Sequence, residues 1–197
     1  MMIAGGSSYA ALRYGVSSDT GHKGLVIQEG VGLFGGGIVD QNLVGGNRLG
    51  RLIVACAEEN ERFGIGVFED SAAVASHAGT RLEAAGRQGF VLVEIDPDTL
   101  DVQSDSFVAR GVRLTVLAAG DRADLASGAV ERAASPSPRP ASSAPSSPAS
   151  PPRATPSPPP PSPAAGSPPL RGLTLAVRSH QGATALVDIE CPRDENG

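Results

Sequence analysis

The chain contains no tryptophan, two tyrosines and five phenylalanines among 197 residues. A core must therefore draw mainly on aliphatic side chains, with few aromatic ones. Two cysteines, Cys56 and Cys191, stand far apart in sequence, too few for a disulfide-stapled scaffold, and they favour a reducing compartment. No apolar run reaches the roughly 18–20 residues that span a bilayer, so no membrane partner is expected. No basic stretch followed by an apolar one marks a signal peptide within the chain, and a cytoplasmic location is expected. The formal net charge is −5, without a basic face, which argues against nucleic acid as a partner. Histidine is scarce too, with His22, His77 and His180 alone. No cluster of Cys, His and acidic residues has metal-ligand spacing, and neither a metal nor a cofactor is expected.

Proline, by contrast, is abundant and confined. All but Pro97 and Pro192 of the 17 prolines lie between Pro136 and Pro169. Residues 133–169 have no aromatic, no aliphatic side chain larger than alanine and only Arg139 and Arg153 as charges. Such a segment cannot bury enough apolar surface to fold, and it reads as an extended, disordered linker. The organisation expected is a globular unit over 1–132, the linker over 133–169 and a C-terminal extension over 170–197. Two β-type runs in the extension, Leu170–Val177 and Ala183–Ile189, flank a "SHQGA" turn and predict a hairpin.

Within 1–132 short glycine-bounded runs, "GLVIQ", "GGIVD" and "GIGVFE", read as strands. "NRLGRLIVACAEENERF" reads as a helix capped by Asn47, with Leu49, Leu52, Ile53, Cys56 and Phe63 on one face. "SAAVAS", "TRLEAAG", "GFVLVEID" and "VRLTVLAAG" follow as strand-like segments. Strand–helix–strand followed by hairpins predicts an α/β protein with an antiparallel addition at its C-terminal end.

The stretch "IAGGSSYAALRYG", from Ile3 to Gly15, predicts a strand, a tight turn and a helix. A nucleophile elbow has this order, with small residues two before and two after the serine. Ser8 satisfies that rule, flanked by Gly6 and Ala10. Ser7 does not, because Tyr9 is bulky. The backbone N–H of Tyr9 would then be an oxyanion donor. The plainer alternative makes Ser7 or Ser8 the N-cap of the helix.

"GSSYAA" (Gly6–Ala11), "DQNL" (Asp40–Leu43) followed by Arg48, Arg51 and Leu52, "GIGVFEDSAAV" (Gly64–Val74) and "LTVLAAGDRADL" (Leu114–Leu125) together resemble cyanophycinases and the related aspartyl dipeptidases. The family's corresponding stretches read "GTSAGA", "DQHF", "GIGIDEDTAL" and "HVLSAGDRFDL", in the same order. The resemblance implies a glutamine-amidotransferase-like, flavodoxin-like sheet, of which 1–132 would be the C-terminal half. It implies a serine-type peptidase that hydrolyses aspartate-linked peptide or isopeptide bonds through an acyl-enzyme on Ser8. The expected partner is an aspartate-containing polypeptide such as cyanophycin, and a homodimer is a compatible assembly. Asp40, Gln41, Arg48 and Arg51 would surround the substrate, since guanidinium forks suit carboxylates. Arginines on the polar side of a helix are otherwise simply solvated.

One position departs from the pattern in a chemically decisive way. The family's base histidine falls at Asn42. A carboxamide can hold a hydrogen bond but cannot take up and carry the serine proton near neutral pH. His22 lies in a glycine-flanked loop after the elbow helix and is the other histidine that could reach the site. Asp19 and Glu29 are the carboxylates between the serines and Asp40, and the third catalytic residue stays unassigned between them. The second function class is therefore an inactive or truncated homologue, serving as a binding module through its proline-rich tail.

Overall fold

The computed structural model describes residues 2–30, 34–102, 106–133 and 173–193. The segment expected to be a disordered linker lies outside the described residues apart from Ala133. The chain begins with β1 (Met2–Gly5), α1 (Ser8–Tyr14), β2 (Val16–Ser17), β3 (Leu25–Gln28) and β4 (Ile38–Gln41). After α2 (Leu49–Glu58) come β5 (Phe63–Val67), β6 (Ser71–Ser76), β7 (Arg81–Gly86) and β8 (Phe90–Glu94). They are followed by β9 (Leu100–Val102), β10 (Ser106–Leu117), β11 (Arg122–Asp124) and β12 (Val130–Glu131), and by the hairpin β13 (Thr174–Gln181) and β14 (Thr184–Pro192).

The fold is mixed α/β. One large sheet runs in the order β13-β14-β10-β8-β5-β4-β1-β3-β2, with β9 beside β10. Strands β1, β4 and β5 are parallel to one another. From β5 onward the pairings β5–β8, β8–β10, β10–β14 and β14–β13 are antiparallel, as the expected C-terminal addition requires. A smaller sheet, β12-β11-β7-β6, is separate.

Strand β8 shows how the layers are divided, because successive side chains of a strand point to opposite faces. Val91 and Val93 join the core that includes α1 and α2, whereas Phe90 and Leu92 join the one that includes Leu82, Ala84 and Ala123 of the small sheet. The helices thus cover one face of the large sheet and the small sheet covers part of the other. Every residue of α2 from Arg51 to Ala57 is buried, which is why its sequence is apolar on nearly all sides.

Two expectations are corrected. The helix expected to reach Phe63 ends at Glu58, and Phe63 opens β5. Asn60 adopts φ 56°, and the Glu61 N–H reaches back to the Cys56 carbonyl at 2.8 Å. This is a Schellman-type ending at a residue that tolerates the left-handed region. The C-terminal turn is also shorter than "SHQGA". Strand β13 continues to Gln181, and Gly182 at φ 58° begins the reversal.

An isolated two-stranded hairpin is marginal in water, but this one is not isolated. Strand β14 pairs with β10 over Ser106–Thr115, and Val187, Ile189 and Cys191 enter the helix-side core. Past its end, Arg193 forms an ion pair with Glu58 of α2, lies over the ring of Phe107, and is largely buried. Glu58 also accepts the Val16 N–H at 2.8 Å. The extension is therefore built into the same core as the helices.

Candidate functional site

Strands β1, β4 and β5 run in one direction, so the segments after them emerge at one end of the sheet. In open α/β sheets this carboxyl end is where ligands bind. The serine turn follows β1, Asn42 follows β4, and α2 begins nearby.

The turn after β1 closes through Gly6 at φ 99°. A Cβ there would stand 2.7 Å from the Gly24 carbonyl oxygen and 2.9 Å from Leu25 Cα, so both conformation and space demand glycine. The left-handed φ falls on Gly6 and on neither serine. Ser7 is extended, with φ −102° and ψ 167°, and its Oγ accepts the Ala10 N–H, which makes it the N-cap of α1. Ser8 is the first helical residue and Tyr9 the second. The Tyr9 N–H precedes the first bond of the helical ladder, that from Ala11 N–H to the Ser7 carbonyl.

Ser8 has a second structural role. Its hydroxyl donates to the Asn47 carbonyl at 2.7 Å, and its Oγ accepts the Arg51 N–H at 3.1 Å. Arg51 is the third residue of α2, so Ser8 supplies from outside the bond that an N-cap side chain normally makes. Asn47, expected to be the cap, adopts φ 49° instead, and Arg48 sits at the cap position without a side-chain bond to the helix. The approach is close: a Cβ on Gly50 would meet the Ser8 Cβ at 3.0 Å.

Asp40 and Arg51 lie beneath this turn as a buried pair. Arg51 Nε donates to Asp40 Oδ2 at 2.7 Å and Nη2 to Oδ1 at 2.6 Å, while Nη1 donates to the Gly6 carbonyl at 2.8 Å. The pair is 8% and 4% exposed, and Asp40 Oδ1 also takes the Gln41 N–H. This bidentate fork joins the end of β4, the serine turn and the first turn of α2. All three guanidinium nitrogens of Arg51 already have protein partners.

Gln41 and Asn42 are exposed. Asn42 adopts φ 52°, and its carbonyl accepts the Gly46 N–H at 3.1 Å. Arg48 Nη1 donates to the Gln41 carbonyl at 3.0 Å, and Glu69 Oε1 accepts the Gly45 N–H. The 42–48 loop is thereby held by its own backbone and by two charged side chains. The structure brings Ser8, Asp40 and Arg51 into one bonded group through Gly6 and α2, with Gln41 at the end of β4 and Asn42 and Arg48 on the adjoining loop.

His22 belongs to a separate turn, where its Nδ1 accepts the Gly24 N–H at 3.0 Å. His77 is exposed at the β6–β7 reversal. The side chain of His180 lies outside the described residues. Asp19 caps its own turn by accepting the Gly21 N–H. Cys56 is buried in α2, where burial, helped by Glu61, pushes its thiol up to about 12. It stays protonated and unreactive, and neither cysteine is in a disulfide. Among the described residues no group of three or more His, Cys, Asp or Glu converges to hold a metal, and no helix is long and apolar enough to cross a membrane.

Sequence reasoning missed Asn47 as the acceptor of the Ser8 hydroxyl and Gly50 as the point of close approach. The glycine within "RLGRL" was a visible signal for the second, since a glycine inside the predicted helix carries a cost that a close contact explains. The Asn47 carbonyl left no trace in sequence, because any residue has one.

Cyanophycinases of Trichormus variabilis and of a Nostoc species are each 36% identical to this chain over 129 residues. The match covers 61% of this chain and 39% of each relative, so the chain spans about two fifths of their length. These similarities support a cyanophycinase-like relationship. No protein-family model matches the chain.

Proposed function

We propose that the chain derives from a serine-type peptidase acting on aspartate-linked peptide or isopeptide bonds, with Ser8 as the nucleophile position and with activity impaired by Asn42. The observation that carries this reading is the fork from Arg51 to Asp40 and Gly6. It fixes the serine turn to α2 at the carboxyl end of the parallel strands, and it uses two residues of the motifs shared with cyanophycinases. In this reading the large sheet is part of a glutamine-amidotransferase-like arrangement, and residues 1–132 are its peptidase-like portion. A polypeptide containing aspartate, such as cyanophycin, is the substrate class.

The chemistry asks Ser8 Oγ to attack the scissile carbonyl, lose its proton to a base and form an acyl-enzyme while the amine leaves with a proton. Water then releases the acid and restores the hydroxyl. The Tyr9 N–H is the proposed oxyanion donor. Gln41, exposed at the end of β4, and the half-buried Arg48 just before α2 are the substrate-facing groups, and Asp40 with Arg51 positions the turn beneath. Asn42 occupies the base position and cannot take the proton. The Ser8 hydroxyl must also leave the Asn47 carbonyl before it can react.

The test is labelling of Ser8 by an active-site serine reagent, together with hydrolysis of a β-aspartyl–arginine dipeptide. The unaltered chain is expected to show neither. Asn42→His is expected to restore labelling that Ser8→Ala abolishes and Ser7→Ala spares. Failure of Asn42→His to label Ser8 overturns the reading. Labelling of the unaltered chain that His22→Ala removes assigns the base to His22 and overturns the role given to position 42.

A further inference from the structure

An open groove of about 520 Å³ lies beside the loop and first residue of α2 that carry Leu43, Val44, Asn47 and Leu49. Leu49 and Leu43 form part of its wall with Phe68, while Val91, Leu114 and Ala185 supply the sheet surface. Asn47, whose carbonyl holds the Ser8 hydroxyl, is also in its lining. The groove therefore begins one hydrogen bond from the proposed nucleophile.

Its composition restricts what can enter. Among the described residues lining it, none is charged. An arginine or lysine head drawn in would lose water without gaining an opposite charge among the described lining, which is costly. The size and the apolar walls with a few polar groups match those of small-ligand sites. The turn from Gly182 to Ala185 closes one side, so the C-terminal hairpin contributes to the site as well as to the core.

We propose that this groove is a subsite for an aliphatic or aromatic side chain of a peptide, at a residue next to the aspartyl bond presented to Ser8. The assignment of that neighbouring bond rests on the peptidase reading above; the apolar preference rests on the groove alone. The inference narrows the substrate class from any aspartate-containing polypeptide to an aspartyl peptide with an apolar neighbour.

The test is a methyl-resolved NMR titration of the full chain with N-acetyl-phenylalaninamide and, separately, N-acetyl-argininamide. The phenylalanine probe is expected to shift the methyls of Leu43, Leu49 and Ala185 by ring current and to bind at least about tenfold tighter, the scale on which apolar pockets discriminate. Val44 and Val116 line the groove but are 64% and 41% exposed, so Val44→Asp and Val116→Asp should keep the fold. Each is expected to weaken the phenylalanine probe about tenfold or more while leaving methyl dispersion elsewhere unchanged. Equal or tighter binding of the arginine probe, or no shift with the phenylalanine probe, overturns the subsite. Groove binding in a chain whose Asn42→His variant leaves Ser8 unlabelled overturns the peptidase reading alone. Restored labelling without an apolar preference overturns the subsite alone.

Discussion

Ser8 caps a helix to which it does not belong. Its Oγ accepts the Arg51 N–H at 3.1 Å while its own proton goes to the Asn47 carbonyl. One side chain of α1 thus satisfies an orphan donor of α2 and fixes the two helix starts together. The same contact engages the hydroxyl that the proposed reaction requires to be free.

Ser8→Ala is expected to lower stability by about 1–2 kcal/mol, the size of a lost N-cap. Chemical denaturation measures it. An unchanged midpoint would show that the bond contributes nothing. Gly50→Ala should be destabilising as well, because its new Cβ would meet the Ser8 Cβ at 3.0 Å.

Asp40→Asn leaves the Arg51 guanidinium buried opposite a neutral amide. Removing one partner of a buried pair costs about 3–5 kcal/mol, a large part of the 5–15 kcal/mol typical of a domain. Arg48→Ala removes one bond to the Gln41 carbonyl from a half-buried side chain and should cost at most about 1 kcal/mol. Equal losses from the two substitutions would contradict the structural weight assigned to the fork.

Asp121 gives a pH dependence. Burial pushes its pKa up, but hydrogen bonds from the Ala133 N–H, Arg132 and the Ala118 N–H outweigh burial and hold it below the ordinary 3.8. The unfolded chain therefore binds this proton first as pH falls. The contribution is present above the ordinary carboxylate pKa and is lost as pH falls through the lowered folded value. Asp121→Asn should flatten this acid limb of the stability curve, and parallel curves for the two proteins would refute the assignment.

A chain ended after Ala133 loses β14, and with it Val187, Ile189, Cys191 and the Arg193–Glu58 ion pair. Phe107, Ala109 and Val112, now fully buried, would open to water at about 1.5–3 kcal/mol for each large side chain. The truncated chain is expected to aggregate or unfold. Cutting the full protein between residues 134 and 168 should instead leave two pieces that co-elute until denaturant is added. A monomeric, sharply melting fragment 1–133 would overturn the role given to the hairpin.

Local information in the sequence determined the short strands, the strand–turn–helix around the serines, the antiparallel C-terminal part and the motif order. Each follows from glycine punctuation, from side-chain periodicity or from resemblance, all carried by neighbouring residues. The end of α2 was misplaced because Asn60 stops it through a backbone conformation that the apolar spacing of Phe63 concealed. Sequence also supplied Ser8, Asp40, Arg51 and Asn42 as the residues to watch.

What they do to one another was decided by tertiary structure alone. That Arg51 forks onto Asp40 and Gly6 depends on the parallel neighbours β1 and β4. That Ser8 caps α2 depends on two helices meeting at Gly50. The hairpin's place on β10 depends on pairing across a long stretch of chain. These are contacts between residues 11 to roughly 80 positions apart, and no local propensity specifies them; burial of a shared apolar core does.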